Sequence, residues 1–168
     1  TTSKSITAAE LRIAVGPQLG TEQASTSGTS LDFTGIPAGT KRITVMFKGV
    51  STSGTSALLV QIGDSGGFET SGYLSGTSYD AGIAESTAGF LLTVNAVAGI
   101  TYHGSVTLNL EDASDFTWIC DGSLYGTATA VYSFAGSKAL SAELTQVRIT
   151  TVNGSDTFDA GAVNIQYE

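Results

Sequence analysis

The strongest constraint on the fold is a two-residue period of apolar side chains that recurs in short runs along the chain. In KRITVMFKGV, Ile43, Val45 and Phe47 occupy every second position, which is typical of a strand with one buried face. Similar runs contain Leu58, Val60 and Ile62; Val106, Leu108 and Leu110; Phe116, Trp118 and Cys120; Val131 and Phe134; Val147 and Ile149; and Val163, Ile165 and Tyr167. Each strand of this kind must cover its apolar face with another sheet.

The segments between these runs are rich in glycine and in other turn-forming residues. Asp121-Gly122 and Asn153-Gly154 are dipeptides that accept the positive φ of tight hairpin turns, so we predict at least two short antiparallel connections. The pattern predicts about nine to eleven short strands with no internal helix. The expected fold is therefore an all-β, jelly-roll-like antiparallel β-sandwich.

We expect this sandwich to span residues 21–168 as one domain, because 168 residues suit a single core. Gly16-Pro17 interrupts any regular element that precedes it. Residues 1–20 are therefore predicted to form an N-terminal arm. The apolar residues of this arm are candidates for contacts in an assembly: Ile6, Leu11, Ile13 and Val15.

The composition excludes several classes of protein. A net charge of −8 argues against binding to nucleic acid or to an anionic membrane surface. No segment approaches the roughly 18 consecutive apolar residues that a membrane-spanning helix requires, so no membrane insertion is expected. The single cysteine, Cys120, cannot form a disulfide within the chain.

The pentapeptide GDSGG at residues 63–67 matches the peptide that carries the nucleophile of chymotrypsin-like proteases. A serine nucleophile needs a histidine base, itself oriented by a carboxylate. The one histidine, His103, follows Ser65 by 38 residues, whereas in those proteases it precedes the serine. We therefore predict a glycine-rich turn in which Asp64 and Ser65 bind the backbone. A serine hydrolase at Ser65 is the alternative, and no catalytic residue is assigned.

Two acidic groups are candidates for a hard cation such as calcium, which takes six to eight oxygen ligands. Neither group matches the EF-hand pattern, and turns stabilised by aspartate side chains are the alternative. A zinc site is not expected, because no second histidine accompanies His103. No cofactor is predicted, and calcium is the alternative. The candidate ligands are Glu111, Asp112 and Asp115 in the first group, and Asp156 and Asp159 in the second.

Several tyrosines in glycine-rich surroundings are candidates for stacking on a sugar or for contact with a partner. Aromatic residues of a β-sandwich also serve as core or interface residues, so both interpretations stay open here. The candidates are Tyr73, Tyr79, Tyr102, Tyr125 and Tyr132.

Three stretches resemble a widespread family of bacteriophage and prophage virion proteins, usually described as tail-fibre or tail proteins. They are TSGTSLDFTGIPAGTKRITVMFKGVSTSG, the turn QIGDSGGFETSGY, and the ending RITTVNGSDTFDAGAVNIQYE. The resemblance covers residues 21–73 and 147–168, whereas residues 74–138 match no family feature.

The resemblance implies a non-enzymatic β-sandwich module on the virion surface, trimeric, assembled in the bacterial cytoplasm and bound to other virion proteins. It carries over no catalytic residue. The middle segment, residues 74–138, would then determine which partner is bound, and host glycan or receptor recognition by this segment is an alternative function. The chain contains no heptads, Gly-X-Y period or β-helix repeat that would form a fibre shaft. A fibre-type knob and a capsid decoration or cement protein therefore both remain open.

Overall fold

The computed structural model describes residues 16–80, 82–127 and 130–168, and every regular element within them is a strand. Four strands have two residues each: β1 (Gln18–Leu19), β2 (Gln23–Ala24), β6 (Gly67–Phe68) and β9 (Phe90–Leu91). Ten are longer: β3 (Ser30–Thr34), β4 (Arg42–Thr52), β5 (Leu58–Asp64), β7 (Leu74–Tyr79), β8 (Gly82–Ser86), β10 (Tyr102–Asp112), β11 (Thr117–Gly126), β12 (Ala130–Ala139), β13 (Gln146–Thr151) and β14 (Phe158–Tyr167).

These strands form two antiparallel sheets. The large sheet has the order β1-β14-β4-β10-β11-β12-β7-β8, with β2 also paired to β14. The small sheet has the order β3-β13-β5-β6, with β9 also paired to β5. The two sheets pack face to face, which confirms the predicted all-β antiparallel sandwich. The ten longer strands agree with the predicted number, and the sequence pattern did not reveal the four shortest.

The predicted two-residue period is confirmed where it was clearest. On β4, Ile43, Val45 and Phe47 all face the core between the sheets. Strand β5 is buried on both faces, because Leu58, Val60 and Ile62 join the main core while Leu59 belongs to a second, smaller cluster. That cluster contains Ala57, Leu59 and Leu91, with Ala84 of β8 packed against it.

Two predicted hairpin turns are wrong. Asp121-Gly122 lies in the middle of β11, where a Cβ at residue 122 would overlap the Ser105 carbonyl oxygen and lie 2.8 Å from the Phe134 ring. Glycine at position 122 therefore provides room for a neighbouring strand and a core ring. Asn153-Gly154 does form a turn, but it connects β13 in the small sheet to β14 in the large sheet.

Two residues of the predicted runs are placed differently in the structure, although one of them, Phe116, is partly buried and packs against the core. Phe116 lies in the turn between β10 and β11 with φ of 54°, so the strand begins only at Thr117. Val131 faces outward and is 57% exposed, because the alternate residues of β12 that face the core include Tyr132 and Phe134.

Of the predicted N-terminal arm, residues 1–20, the structure describes only residues 16–20. Gln18 and Leu19 form β1, which pairs with Tyr167 and Gln166 at one edge of the large sheet. Ile6, Leu11, Ile13 and Val15 lie outside the described residues. Within those residues, no helix has the length and apolar character needed to cross a lipid bilayer.

Candidate interaction surface

The GDSGG stretch forms the corner between β5 and β6, and Asp64 stabilises this corner. One carboxylate oxygen of Asp64 accepts a hydrogen bond from the Gly66 N–H at 2.7 Å, and the other accepts one from the Ser141 hydroxyl at 2.6 Å. These two interactions, that with Ser141 first, lower the pKa of the Asp64 carboxyl. A Cβ at residue 63 would overlap the Gly67 carbonyl oxygen, so the tight reversal requires glycine there. The predicted structural role of Asp64 is confirmed.

Ser65 is exposed at the tip of this corner. His103 lies on β10 in the large sheet, where its strand partners are Lys48 and Tyr125. Ser65 and His103 share no hydrogen bond among the described residues. The surroundings of Asp64 thus account for the pentapeptide as a turn, and a hydrolase role for Ser65 gains no support from its position.

We predict that Asp64→Ala lowers the free energy of unfolding by about 1–3 kcal/mol, because it leaves the Ser141 hydroxyl and the Gly66 N–H without their acceptor. Ser65→Ala should change it by less than about 0.5 kcal/mol. Since folding lowers the pKa of Asp64, its ionised form stabilises the fold above the unfolded value of about 3.9, and this contribution disappears as the pH falls. Urea unfolding at pH 7 and pH 3 measures both effects. Equal destabilisation by the two variants at pH 7 would contradict the assignment.

The residues that follow the corner form a second polar network. The Tyr73 hydroxyl accepts a hydrogen bond from the Ile62 N–H at 2.9 Å and lies 3.0 Å from the Glu69 carbonyl oxygen. The Glu69 carboxylate binds the buried Lys138 ammonium at 2.6 Å. The ammonium lies 5.5 Å from the centre of the Tyr73 ring. The polar side chains of the stretch QIGDSGGFETSGY thus bind backbone groups of the same corner, and Glu69 and Asp64 connect it to Lys138 on β12 and to Ser141.

The predicted cation ligands bind groups of the chain itself. Asp112 accepts hydrogen bonds from the Ser114 N–H and hydroxyl, each at 2.7 Å. Asp156 accepts hydrogen bonds from the Ser56 N–H at 2.9 Å and the Asn153 side chain at 2.8 Å. Among residues 16–80, 82–127 and 130–168, no three His, Cys, Asp or Glu residues lie close enough together to hold a metal ion. The remaining candidates, Glu111, Asp115 and Asp159, are exposed.

The candidate tyrosines divide into buried and exposed residues. Tyr73, Tyr102 and Tyr132 are buried in the core, so their assignment as surface contacts is wrong: no ring face is available to an external ligand. Burial also raises the pKa of Tyr102 to about 12. Tyr79 and Tyr125 are 36% and 45% exposed, and their role in binding stays a prediction. The Tyr79 ring lies 5.0 Å from the Tyr132 ring, between centroids.

The outer face of the large sheet presents a surface that the sequence pattern did not reveal. Its floor consists of small side chains on two neighbouring strands: Gly76 and Ser78 on β7, and Ser133, Ala135 and Ser137 on β12. Around this floor stand five exposed apolar side chains: Leu74, Ile83, Ile119, Tyr125 and Val131. We call the floor and these five residues the outer patch. It contains a shallow depression of about 330 Å³ beside Ile83 and Ala135.

Charged side chains are sparse on the outer patch. Asp121 on β11 and Glu85 on β8 occupy the same cross-strand row, separated by Ala135 and Gly76. The surface between Asp121 and Glu85 carries only small groups. A partner can therefore approach the backbone closely, and its binding removes few charged groups from water.

The exposed apolar residues are concentrated in one part of the sequence. Of the large apolar side chains that are exposed among the described residues, only Leu19 and Val152 lie outside residues 74–138. The others are Leu74, Tyr79, Ile83, Val97, Ile119, Tyr125 and Val131. In the sequence, the only sign of this surface is that large apolar residues stand singly among Gly, Ser and Thr. Whether each of them faces outward depends on which alternate residues of its strand are buried.

Residues 21–73 and 147–168 have a different structural role. They contain β2 to β6 and β14, together with nearly all of β13. Thus they supply most of the small sheet and one side of the large sheet. Residues 74–138 supply β7 to β11 and nearly all of β12, and the outer patch lies on β7, β8, β11 and β12. No protein-family model, curated protein or solved structure matches the chain.

Proposed function

We propose that this chain is a non-enzymatic structural protein on the surface of a bacteriophage particle, where the outer patch binds neighbouring subunits. A tail-fibre-type knob and a capsid decoration or cement protein are the two forms of this function. The resemblance of residues 21–73 and 147–168 to virion proteins is its starting point. The trimeric state belongs to the same proposal.

The observation that carries the proposal is the concentration of exposed apolar side chains in residues 74–138. In residues 21–73 and 147–168 most side chains serve packing, whereas residues 74–138 present apolar groups outward. This division suits a module with a constant scaffold and a variable contact surface. Contiguous exposed apolar surface marks interaction sites in soluble proteins. The Asp64 carboxylate stabilises the corner within residues 21–73, and the Glu69–Lys138 ion pair joins that stretch to the end of the middle segment.

The outer patch favours association through shape and hydrogen bonds. Small floor residues such as Gly76 and Ala135 let a partner's side chains reach the sheet, while the hydroxyls of Ser78 and Ser133 offer donors and acceptors. The surrounding apolar residues would form the desolvated part of the interface, which usually provides most of the binding energy. Because few charges take part, we expect association to depend only weakly on salt.

The test uses a phage or prophage genome that encodes this chain. We expect mass spectrometry of purified particles to detect the wild-type chain, and the Ala135→Arg variant to be at least tenfold depleted. Ala135 is exposed on the floor, so arginine should block a partner and leave the core intact. Val152→Arg is the matched control, because Val152 is also exposed but lies outside the outer patch. Absence of the wild-type chain from particles would refute the proposed function.

Recognition of a host glycan or surface protein is a second candidate, favoured by the exposed Tyr125 and Tyr79. Exposed tyrosine rings on the face of a sheet can stack on sugar faces. Binding of the isolated chain to host cells that is lost in Tyr125→Ala, with incorporation into particles unchanged, would favour this function over assembly.

A further inference from the structure

Strand β8 is an open edge of the large sheet. Among the described residues its only strand partner is β7, so one side of its backbone has no strand beside it. Exposed edges in natural proteins are usually blocked by charged side chains, lysine above all, or by proline, a bulge or a covering segment. The sequence of β8, GIAES, contains neither lysine nor proline, and its five residues pair with β7 in an unbroken register.

The other edges are blocked or very short. On β3, the Gln23 side chain donates a hydrogen bond to the Asp32 carbonyl oxygen at 2.8 Å. The Asp32 carboxylate also binds the Arg148 guanidinium through two contacts of 2.7 Å, which places a charged pair on this strand. Strand β1 has two residues and follows Pro17. Within the described part of the chain, β8 is therefore the longest edge that carries neither lysine, proline nor an ion pair, and Glu85 is its one charged residue.

We propose that β8 pairs antiparallel with β8 of a second copy of this chain, about a two-fold axis at Ala84. This register uses all five residues of the strand and places Ile83 of each copy opposite Glu85 of the other. A two-fold axis at Glu85 would instead place the two carboxylates opposite each other, which is unfavourable in cross-strand pairs. The register about Ala84 avoids this repulsion and pairs every residue of β8 with the second copy.

Such a contact covers apolar surface on both faces of the sheet. Ile83 is 78% exposed and would pack against the methylene groups of the partner's Glu85. Ala84 points to the opposite face, where it packs against the smaller cluster of Ala57, Leu59 and Leu91, so the small clusters of the two copies would become neighbours. Antiparallel edge pairing about an axis normal to the sheet keeps the outer faces on the same side. The two outer patches would therefore form one continuous surface.

The test measures the mass of the isolated chain by sedimentation, and it does not depend on any phage particle. We expect the wild-type chain to form dimers, or pairs of trimers where the proposed trimer also forms, and Ile83→Glu to weaken this two-fold association at least tenfold, because each new carboxylate lies opposite Glu85. The double variant Ile83→Glu with Glu85→Lys should restore the dimer, because opposite charges then face each other. If the single and double variants weaken it equally, or if the wild-type chain does not associate, the proposal is overturned.

A cysteine substitution tests the register independently. Ala84→Cys should form an intermolecular disulfide under mild oxidation, since the two copies of residue 84 lie directly opposite each other. The native Cys120 is buried and does not compete. Ser123→Cys, exposed on β11, is the matched control and should remain monomeric on a non-reducing gel. Equal cross-linking of the two variants would exclude pairing at Ala84. Because both tests use the isolated chain, their failure leaves the proposed function to its own experiment.

Discussion

Trp118→Ala should lower the free energy of unfolding by about 3–5 kcal/mol, the usual cost of truncating a large aromatic residue in a core. Trp118 is 2% exposed and belongs to the main cluster between the sheets. Its neighbour Ile119 faces the opposite side of β11 and is 37% exposed. Ile119→Ala should therefore cost less than about 1 kcal/mol. Urea unfolding followed by circular dichroism measures both variants.

A third variant at this position separates packing from hydrogen bonding. The Trp118 indole N–H is buried and has no hydrogen-bond partner among the residues that the structure describes, which carries a desolvation penalty of about 1–3 kcal/mol. Trp118→Phe keeps most of the ring and removes this donor. We therefore expect its stability to lie within about 1 kcal/mol of the wild-type value. If Trp118→Phe were as destabilising as Trp118→Ala, the loss would come from a hydrogen bond of the indole N–H, and the assignment of this N–H as unpaired would be wrong.

Gly161→Ala should lower the free energy of unfolding by about 3 kcal/mol or more, because two costs combine at this position. Gly161 has φ of 89°, and a Cβ there would overlap the carbonyl group of Gly49. Both glycines lie where the register between β4 and β14 shifts, with Ala160 opposite Ser51 and Ala162 opposite Lys48. The two backbones approach so closely that a side chain would force them apart.

Gly154→Ala is the matched control for this prediction. Gly154 also has positive φ, 63°, but apart from its two chain neighbours no described residue has an atom within 4 Å of a Cβ placed there. Its substitution carries only the conformational cost, about 1 kcal/mol. Thermal unfolding of both variants distinguishes the two terms. Equal losses of stability would show that the close approach to Gly49 contributes nothing.

The sequence predicted the fold well where a strand has one buried and one exposed face. Ile43, Val45 and Phe47 show the two-residue period clearly, and β4 follows it. The prediction failed where the pattern had more than one physical explanation. Gly122 indicates a hairpin turn, but the structure places it within a strand, because glycine also serves where two backbones or a ring come close.

The candidate site was harder to predict than the fold. Tyr73 and Tyr125 both lie among glycines and serines in the sequence, yet one is buried beneath Lys138 and the other is exposed on the outer patch. The direction of a side chain in a strand reverses with each residue, so an error of one position exchanges core and surface. Val131 shows this effect: it was expected in the core and lies on the outer patch instead.

The sequence alone determined that the chain forms antiparallel strands with glycine-rich corners, because local alternation and turn chemistry act over a few residues. Only the tertiary structure determined which strands neighbour each other, which face of each is covered, and which edge stays open. Those properties depend on contacts between residues far apart in the chain, such as Lys138 with Glu69 and Gly161 with Gly49. The outer patch and the open edge at β8 exist only because β7, β8, β11 and β12 lie side by side.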